Sequence, residues 1–304
     1  MEKRKSSRYI LLVIVVVISL LGISVLLRYG VNYFAKLQQR KSAWSNLKET
    51  IVNKRNHFDG RSAIMIKEYN SGWEMRFNQD NQFASASLVK LPIMLVAFLG
   101  ESRSEIDLKD TIKLSDSHKS PGSGVLKKMH PGKIFTFDEI LRIMITLSDN
   151  TATNLMIDKL SMDYINDKFL SLGLENTNLS RKMMDFNKRK QGIENFTTAK
   201  DMSFVLDRLY LNFKRNDPIA KKCFKFLKQQ KINDRIPARL PKQTPVAHKT
   251  GLERNICHDS GIVFTDKGDY LICVLTRTTR GSKYAKKYIA DISLDVYNYL
   301  QENY

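Results

Sequence analysis

An uncharged run of 19 residues near the start of the chain, from Tyr9 to Leu27, constrains the fold more than any other feature. The run reads YILLVIVVVISLLGISVLL, and about 20 apolar residues are needed to cross the hydrocarbon core of a bilayer as a helix. A cleaved signal peptide is the alternative, but it would have a shorter apolar region followed by a small-x-small site. At the end of this run the sequence reads LLRYG instead of such a site, so it predicts an uncleaved transmembrane anchor at residues 9–27.

The basic residues around this run do not decide its orientation. Both flanks are basic, with Lys3, Arg4, Lys5 and Arg8 before the run and Arg28, Lys36, Arg40 and Lys41 after it. The positive-inside rule therefore gives little information about which end of the predicted helix is cytoplasmic. Residues 28–56 then carry apolar positions at helical spacing, which predicts a helical lead-in to a domain at residues 57–304.

Composition limits the kinds of ligand and partner that we expect for that domain. The chain has 304 residues, 42% hydrophobic content and a formal net charge of +19. Such a charge favours anionic partners, but the basic residues are scattered and no nucleic-acid motif accompanies them, so we predict no nucleic-acid binding. The three cysteines and five histidines do not show the spacing of metal ligands, and we predict no metal and no cofactor.

The pattern of short apolar runs predicts the fold class. SAIMIKEYN and WEMRFN, with a break at Asn70-Ser71-Gly72, predict a β-hairpin. TPVAHKTG, GIVFT and YLICVLTR predict three C-terminal strands, with a turn at residues 267–269, and a final helix follows them. Residues 136–213 are mainly helical in pattern. Together these features predict an α+β fold, with an antiparallel β-sheet flanked by helices, an all-helical lobe and one preceding transmembrane helix.

Three short motifs predict chemistry in this domain. In FASASLVKLPIML, Ser87 and Lys90 lie three residues apart on one side of a helix, where a desolvated lysine can take a proton from a hydroxyl. That pair is uninformative alone, because Ser45 and Lys48 show the same spacing, and we assign those two residues no catalytic role. The triplets Ser148-Asp149-Asn150 and Lys249-Thr250-Gly251 each occur once and follow in the order described for penicillin-recognising serine enzymes.

With these motifs, the sequence resembles the class A β-lactamases and the related penicillin-binding D-Ala-D-Ala peptidases. The resemblance runs from about Arg61 to Tyr299 and includes SLVKLPI, SDNTATN, TTAKDM and HKTG. It implies that Ser87 is the nucleophile, that Lys90 acts as base or relay, and that Ser148 passes a proton to the departing nitrogen.

The resemblance also implies the substrate-binding residues. Asn150 would orient Lys90 and the side-chain amide of the substrate, while Lys249 and Thr250 would hold the substrate carboxylate. Gly251 would let the substrate lie close to the edge strand, and the backbone N–H groups of Ser87 and Leu252 would form the oxyanion hole.

One expected residue is missing from the loop between Arg181 and Thr197. Class A β-lactamases use a loop glutamate to activate the water that hydrolyses the acyl-enzyme. Counting back from Thr197-Thr198 without gaps, that position falls on Met183, which cannot accept a proton. With a shifted register, Asp185 is the candidate carboxylate, and a solvated or loop-bracing carboxylate is the alternative for this residue.

His258 has two possible roles. Related enzymes often have an arginine near the position of His258, and that arginine helps to bind the substrate carboxylate. A partly protonated His258 would substitute for it, and plain packing within the strand is the alternative.

The sequence therefore predicts a membrane-anchored serine hydrolase that looks like a class A β-lactamase. The alternatives are a D-Ala-D-Ala carboxypeptidase that acts on peptidoglycan stem peptides and a β-lactam sensor that is acylated without turnover. Since cell-wall substrates lie outside the cytoplasmic membrane, residues 1–8 are predicted to be cytoplasmic and the catalytic domain extracytoplasmic. We expect a monomer.

Overall fold

The structure is a computed structural model that describes the backbone of residues 2–304 and the side chains of residues 17–304. The side chains of the predicted cytoplasmic tail, residues 1–8, and of residues 9–16 of the predicted span lie outside the described part. The first helix, α1, runs from Glu2 to Asn56. Within it, the segment Val17–Asn56 contains a stretch of mean hydropathy 1.5 that is not buried inside the protein and is long and apolar enough to cross a membrane.

The chain divides into two compact units. One comprises residues 1–50 with residue 303, and the other comprises residues 51–302 with residue 304. The second unit contains the strands and all helices after α1. Its strands are β1 (Arg61–Glu68), β2 (Glu74–Phe77), β3 (Phe83–Ala84), β4 (Thr111–Lys113), β5 (Ile134–Thr136), β6 (Phe196–Thr197), β7 (Val246–Glu253), β8 (Ile256–Val263) and β9 (Tyr270–Arg277). Its helices are α2 (Lys90–Ser102), α3 (Phe137–Thr146), α4 (Asn150–Leu160), α5 (Met162–Ser171), α6 (Phe186–Lys190), α7 (Ala199–Lys214), α8 (Pro218–Leu227) and α9 (Ser282–Asn303).

Five strands form an antiparallel sheet in the order β2-β1-β9-β8-β7. All of β8 and nearly all of β9 are buried, as expected for a sheet that is covered on both faces. In β1, Ser62 contacts Tyr288 of α9, whereas Lys67 bonds to Asp207 of α7. Because alternate residues of a strand face opposite sides, α7 and α9 cover opposite faces of the sheet. β7 forms one edge of this sheet.

Helix α2 is the centre of the helical part. Ten of its residues are buried, and it packs against α3, α5 and α8. A helix that is apolar nearly all round belongs in a core, and only Lys90 interrupts its buried stretch with a charge. The fold thus places Lys90 in the interior, at the end of α2 that approaches the sheet edge.

Local sequence signals explain where the neighbouring helices begin. Thr136 and Glu139 form a reciprocal capping box at the start of α3, which satisfies backbone donors that the helix cannot satisfy itself. Asp149 caps α4, and Thr198 caps α7. These caps fix the residues at which α3, α4 and α7 begin.

Candidate active site

Ser87 lies in a short 3₁₀ helix, Ala86–Val89, that leads directly into α2. The preceding residue, Ala86, has φ +47°, a left-handed conformation that costs energy for a residue with a side chain. Ser87 is 9% exposed and lines a cleft of about 310 Å³. In the described part of the chain its hydroxyl has no hydrogen-bond partner, so this oxygen is available to a molecule that enters the cleft.

Lys90 lies one helical turn after Ser87 and is fully buried. Its Nζ is 2.6 Å from the carbonyl oxygen of Ser148, 2.9 Å from Asn150 Oδ1 and 3.3 Å from Ser148 Oγ. Burial, and then the charge of Lys249, hold the pKa of Lys90 well below its usual range, while the Asp149 carboxylate opposes this shift. A neutral amine donates two hydrogens, which the carbonyl and amide oxygens accept, and its lone pair is then left for a hydroxyl.

Ser148 connects two amines. Its Oγ lies 3.3 Å from Lys90 Nζ and accepts a hydrogen bond from Lys249 Nζ at 3.0 Å. Ser148 is 2% exposed and has φ +52°, so its backbone holds a sparsely populated conformation at the junction between α3 and α4. The arrangement lets this hydroxyl donate its proton toward Lys90 while Lys249 stabilises the oxygen.

Lys249 lies within β7 and is fully buried. Besides Ser148 it donates to the carbonyl oxygen of Thr250 at 2.9 Å. Burial lowers the pKa of Lys249 to about 7, with the carboxylate of Asp259 opposing the shift. The amine therefore changes its charge in the physiological pH range.

The following residues bring the sheet edge close to Ser87. Thr250 and Gly251 are buried in β7 and do not line the cleft, whereas Leu252 does and is 49% exposed. A Cβ atom on Gly251 would lie 3.2 Å from the carbonyl oxygen of Ser85, so glycine permits this close approach. As the second residue of its short helix, Ser87 has a backbone N–H of the kind that lacks an acceptor within the helix.

Asn150 joins Lys90 to the opposite wall of the cleft. Its Oδ1 accepts from Lys90, and its Nδ2 donates to the carbonyl oxygen of Pro121 at 3.0 Å. Asn150 also lines the cleft next to Gly122 and Ser123. The amide is thus oriented by two partners before any ligand arrives.

Asp149 is a structural residue that sequence reasoning overlooked. Its buried carboxylate accepts from the backbone N–H groups of Val125 at 2.6 Å, Leu126 at 2.8 Å and Ala152 at 2.9 Å. One side chain therefore caps α4 and holds the loop that carries Gly122 and Ser123. Its position in the triplet Ser148-Asp149-Asn150, directly before a helix, was the sequence signal for this cap.

Met183 occupies the loop position where the sequence comparison placed the missing glutamate. The backbone N–H of Met183 donates to Asn154 Oδ1 at 2.8 Å, and Asn154 Nδ2 donates back to the Met183 carbonyl at 3.1 Å. Met183 lines the cleft, whereas Asp185 caps α6 by accepting from the Lys188 N–H at 3.0 Å and lies outside the cleft lining. In this structure Asp185 braces the loop.

Four charged side chains connect the same loop to the end of β7. Arg181 Nη2 lies 2.6 Å from Glu194 Oε1 and 3.5 Å from Glu253 Oε1, and Arg189 Nη1 also pairs with Glu253 Oε1. The side chain of Arg181 is only 5% exposed. Burial raises the pKa of Glu253, and the charge of Arg189 opposes that shift. Local sequence patterns did not indicate this cluster, because Glu253 lies about 60 residues beyond Glu194 in the chain.

His258 serves packing within the sheet. Its Nε2 donates to the carbonyl oxygen of Ala84 at 3.0 Å, and its Nδ1 accepts from the Thr276 N–H at 3.0 Å. Burial lowers the pKa of His258 to about 4, with the bond to Ala84 opposing the shift. A neutral imidazole with both nitrogens engaged does not bind a substrate carboxylate, so the packing interpretation holds.

The described residues of the site form no metal-binding cluster. Among residues 17–304, no group of three or more His, Cys, Asp or Glu side chains could hold a metal ion. Its functional groups are a hydroxyl at the cleft, a second hydroxyl beneath it, two buried amines and an amide. That set suits nucleophilic attack on a carbonyl with proton transfer between oxygen and nitrogen.

Comparison with known proteins shows the family to which the chain belongs. The sequence profile of the beta-lactamase enzyme family matches residues 44–300. The beta-lactamase VEB-1 of Pseudomonas aeruginosa is 24% identical over 272 residues, which cover 84% of this chain and 90% of that relative. The family resemblance inferred from the motifs is thereby confirmed.

Solved structures extend the agreement to the fold. The beta-lactamase from Sphaerobacter thermophilus DSM 20745 is similar with a TM-score of 0.76 and 28% identity, over 85% of this chain and 98% of that one. The structure of PBP-A is similar with a TM-score of 0.77 and 24% identity, over 84% of this chain and 96% of that one. The predicted α+β fold, with an antiparallel sheet flanked by helices, is confirmed.

Proposed function

Because the chain belongs to the beta-lactamase enzyme family, we propose that it is a membrane-anchored serine hydrolase that opens β-lactam amides through an acyl-enzyme on Ser87. The observation that carries this proposal is the position of the Ser148 hydroxyl between the amines of Lys90 and Lys249, next to the cleft that Ser87 lines. The proposal includes slow release of the acyl group.

Acylation uses groups that are already in place. The Ser87 oxygen attacks the amide carbonyl while its proton passes to neutral Lys90, directly or through Ser148. The N–H groups of Ser87 and Leu252 receive the developing oxyanion, a contribution worth about 10²–10³ in rate for one such donor in a comparable enzyme. Ser148 then gives a proton to the departing nitrogen, and Lys90 restores the proton of Ser148.

Substrate binding uses residues that are hydrogen-bonded to Ser148 and Lys90, together with their neighbours. We assign the carboxylate that penicillins and D-Ala-D-Ala peptides share to Lys249 and Thr250, which are buried in β7 outside the cleft lining in this structure, and the amide on the acyl side to Asn150. The cationic form of Lys249 serves this role, while the neutral form of Lys90 serves as base. The surroundings of the two lysines favour this division, because the Asp259 carboxylate supports the charged form of Lys249, whereas the charge of Lys249 lowers the pKa of Lys90.

Deacylation lacks an evident base. In the ungapped register, Met183 takes the position of the water-activating glutamate. Asp185 caps a helix, and Glu194 lines the cleft but is paired with Arg181. Water attack on the acyl-enzyme therefore proceeds without a loop carboxylate. This supports a long-lived adduct.

The same observation favours a second candidate function. A D-Ala-D-Ala carboxypeptidase acting on peptidoglycan stem peptides would use the same carboxylate pocket and would also hold a β-lactam for a long time. Anchoring by α1 supports work next to the cell wall. We propose that residues 9–27 form the anchor, with residues 1–8 cytoplasmic and residues 57–304 outside the membrane.

Mass spectrometry of the full chain in detergent tests the catalytic proposal. After brief exposure to benzylpenicillin, we expect the mass of one penicillin on Ser87, persisting after excess compound is removed. A Ser87→Ala variant should remain unlabelled, and labelling of that variant would refute the proposal. Incubation with a D-Ala-D-Ala peptide, followed by measurement of free alanine, separates the two candidate substrates.

Protease treatment of intact spheroplasts tests the topology. We expect digestion of the catalytic domain from outside, with an intracellular marker protein protected. Protection of the domain until the cells are lysed would refute the extracytoplasmic assignment.

A further inference from the structure

Positive charge is concentrated between residues 208 and 242, a stretch that contains the end of α7, all of α8 and most of the segment before β7. This stretch holds eleven lysines and arginines against two aspartates, a formal charge of +9 out of the +19 of the whole chain. Both aspartates are engaged within the fold, since Asp217 caps α8 and Asp234 pairs with Arg235 and Lys286. The stretch therefore carries an excess of cations that its own carboxylates do not neutralise.

Helix α8 places part of this charge in one row. The buried side of the helix consists of Ala220, Cys223, Phe224, Phe226 and Leu227. Lys221 and Lys225 lie four residues apart on the exposed side, and Lys228 follows three residues later at the C-cap. Residues at these spacings are neighbours on a helix surface, with Cβ atoms about 5–6 Å apart. We refer to Lys221, Lys225 and Lys228 as the basic row.

The fold supplies few carboxylates to this side of α8. Of the four lysines at residues 221, 222, 225 and 228, only Lys222 forms an ion pair with a described side chain, at 2.8 Å from Glu101. Like charges three or four residues apart destabilise a helix. An external anion bound along the basic row would reduce this repulsion.

Lys214 adds a further cation near the end of the basic row. Burial lowers the pKa of Lys228, Asp269 opposes this shift, and the charge of Lys214 reinforces it. Lys214 Nζ lies 3.3 Å from Asp269 Oδ2, so a single carboxylate acts on both amines. This end of the row therefore also carries more positive than negative charge.

The surroundings of the basic row suit a polymer more than a bilayer. A helix that lies in a membrane interface presents an exposed apolar face beside its cations. The apolar face of α8 is buried in the domain, and none of the described large apolar side chains between residues 212 and 242 is exposed. The row is also separate from the Ser87 cleft, because none of its lysines lines that cleft.

We propose that the basic row binds a linear phosphodiester polymer of the cell surface, with successive phosphate groups paired to successive lysines. A lysine ammonium binds phosphate as a compact charge, and a row of such charges matches a polyanion better than it matches a single anion. This inference goes beyond the proposed hydrolysis, since it uses the proposed extracytoplasmic location but no chemistry at Ser87. The bound polymer would hold the catalytic domain within the cell wall.

Fluorescence anisotropy of labelled poly(glycerol phosphate) tests this proposal with the full chain in nanodiscs of zwitterionic lipid. We expect binding that weakens as salt rises, because each paired phosphate releases counterions. The double variant Lys221→Gln/Lys225→Gln should bind about tenfold more weakly at low salt. The slope of log affinity against log salt should decrease by about one for each lysine removed.

A second double variant, Lys113→Gln/Lys133→Gln, is the matched control. It removes the same charge from two exposed lysines at β4 and β5, and neither lines the cleft. Its polymer affinity and salt slope should stay close to those of the unmodified chain. Equal losses in the two double variants would overturn the proposal, because net charge rather than the basic row would then account for binding.

Two further measurements separate this inference from its alternatives. Row-dependent binding to phosphatidylglycerol vesicles, without binding of the polymer, would overturn it in favour of a membrane surface. Ser87→Ala should bind the polymer as tightly as the unmodified chain, and the row variant should be acylated by benzylpenicillin at the unmodified rate. Loss of polymer binding in Ser87→Ala would overturn a site on α8 that is independent of the cleft.

Discussion

Asn154 and Met183 hydrogen-bond to each other in both directions, side-chain amide to backbone, at 2.8 and 3.1 Å. This pair holds the loop so that residue 183 lines the cleft beside Ser87. A side chain introduced at position 183 would therefore face the same space as the acyl group. Position 183 could therefore present a base to the acyl group, but the sequence has a methionine there.

Met183→Glu should accelerate deacylation. A carboxylate at this position can take a proton from water, and a positioned general base contributes about 10²–10⁴ in rate. We expect the benzylpenicillin adduct of this variant to decay about 100-fold faster than that of the unmodified chain, with the acylation rate changed far less. Decay of the adduct mass after removal of excess penicillin measures the effect.

Two variants control that experiment. Met183→Gln has a similar shape without a base and should keep the slow decay. Asp185→Asn should also leave the decay unchanged, because Asp185 caps α6. Slower decay in Asp185→Asn would instead identify this carboxylate as the deacylation base.

Acylation should decline as pH rises through about 7. The pKa of Lys249 is lowered to about 7, so its amine is cationic below that pH and neutral above it. Loss of the cation removes a charge-assisted contact with the substrate carboxylate, which should reduce the second-order acylation rate constant by about tenfold or more. Rates measured between about pH 6 and pH 9 report this ionisation of the free enzyme.

Lys249→Arg tests the assignment of that decline. A guanidinium keeps its charge throughout this pH range, so the variant should acylate more slowly at neutral pH but without the decline. A decline with the same midpoint in the variant would show that another group titrates.

Lys90→Arg should abolish most acylation. Lys90 can act as base because burial and Lys249 favour its neutral form, whereas an arginine stays protonated. We expect the acylation rate to fall by about 10²–10⁴. Circular dichroism of the variant checks that α2 remains folded. An acylation rate within threefold of that of the unmodified chain, a change of roughly 1 kcal/mol or less in activation free energy, would exclude Lys90 as the base.

Arg181→Met should destabilise the fold, whereas Lys182→Met should not. Arg181 is nearly buried against Glu194, and removing one partner of a buried pair costs about 3–5 kcal/mol. The adjacent Lys182 pairs with Asp158 at the surface, where such pairs contribute about 0–1 kcal/mol. Urea unfolding followed by circular dichroism compares the two variants, and equal stabilities would contradict a structural role for the charge cluster.

Much of the fold followed from local signals in the sequence. The run FDEILRIMIT forms α3 at Phe137–Thr146, and the expected turn at residues 267–269 joins β8 to β9. Short pairings such as β4 with β5 were not predicted, because three-residue strands carry little periodicity. A helix was expected at Ser87, and in the structure this segment is a short 3₁₀ helix, whereas the left-handed Ala86 has no signature in sequence.

By itself the sequence determined which chemical groups are present, in which order, and that position 183 carries a methionine where a carboxylate was expected. Only the tertiary structure decided that Ser148 lies between two amines, that Asn154 holds Met183, and that Arg181 pairs with Glu194 and approaches Glu253. The reason is physical: local patterning reflects backbone hydrogen bonds and burial within a few residues. The lowered pKa values and the paired charges arise from groups that lie up to about 160 residues apart in the chain, and only packing brings them into one desolvated space.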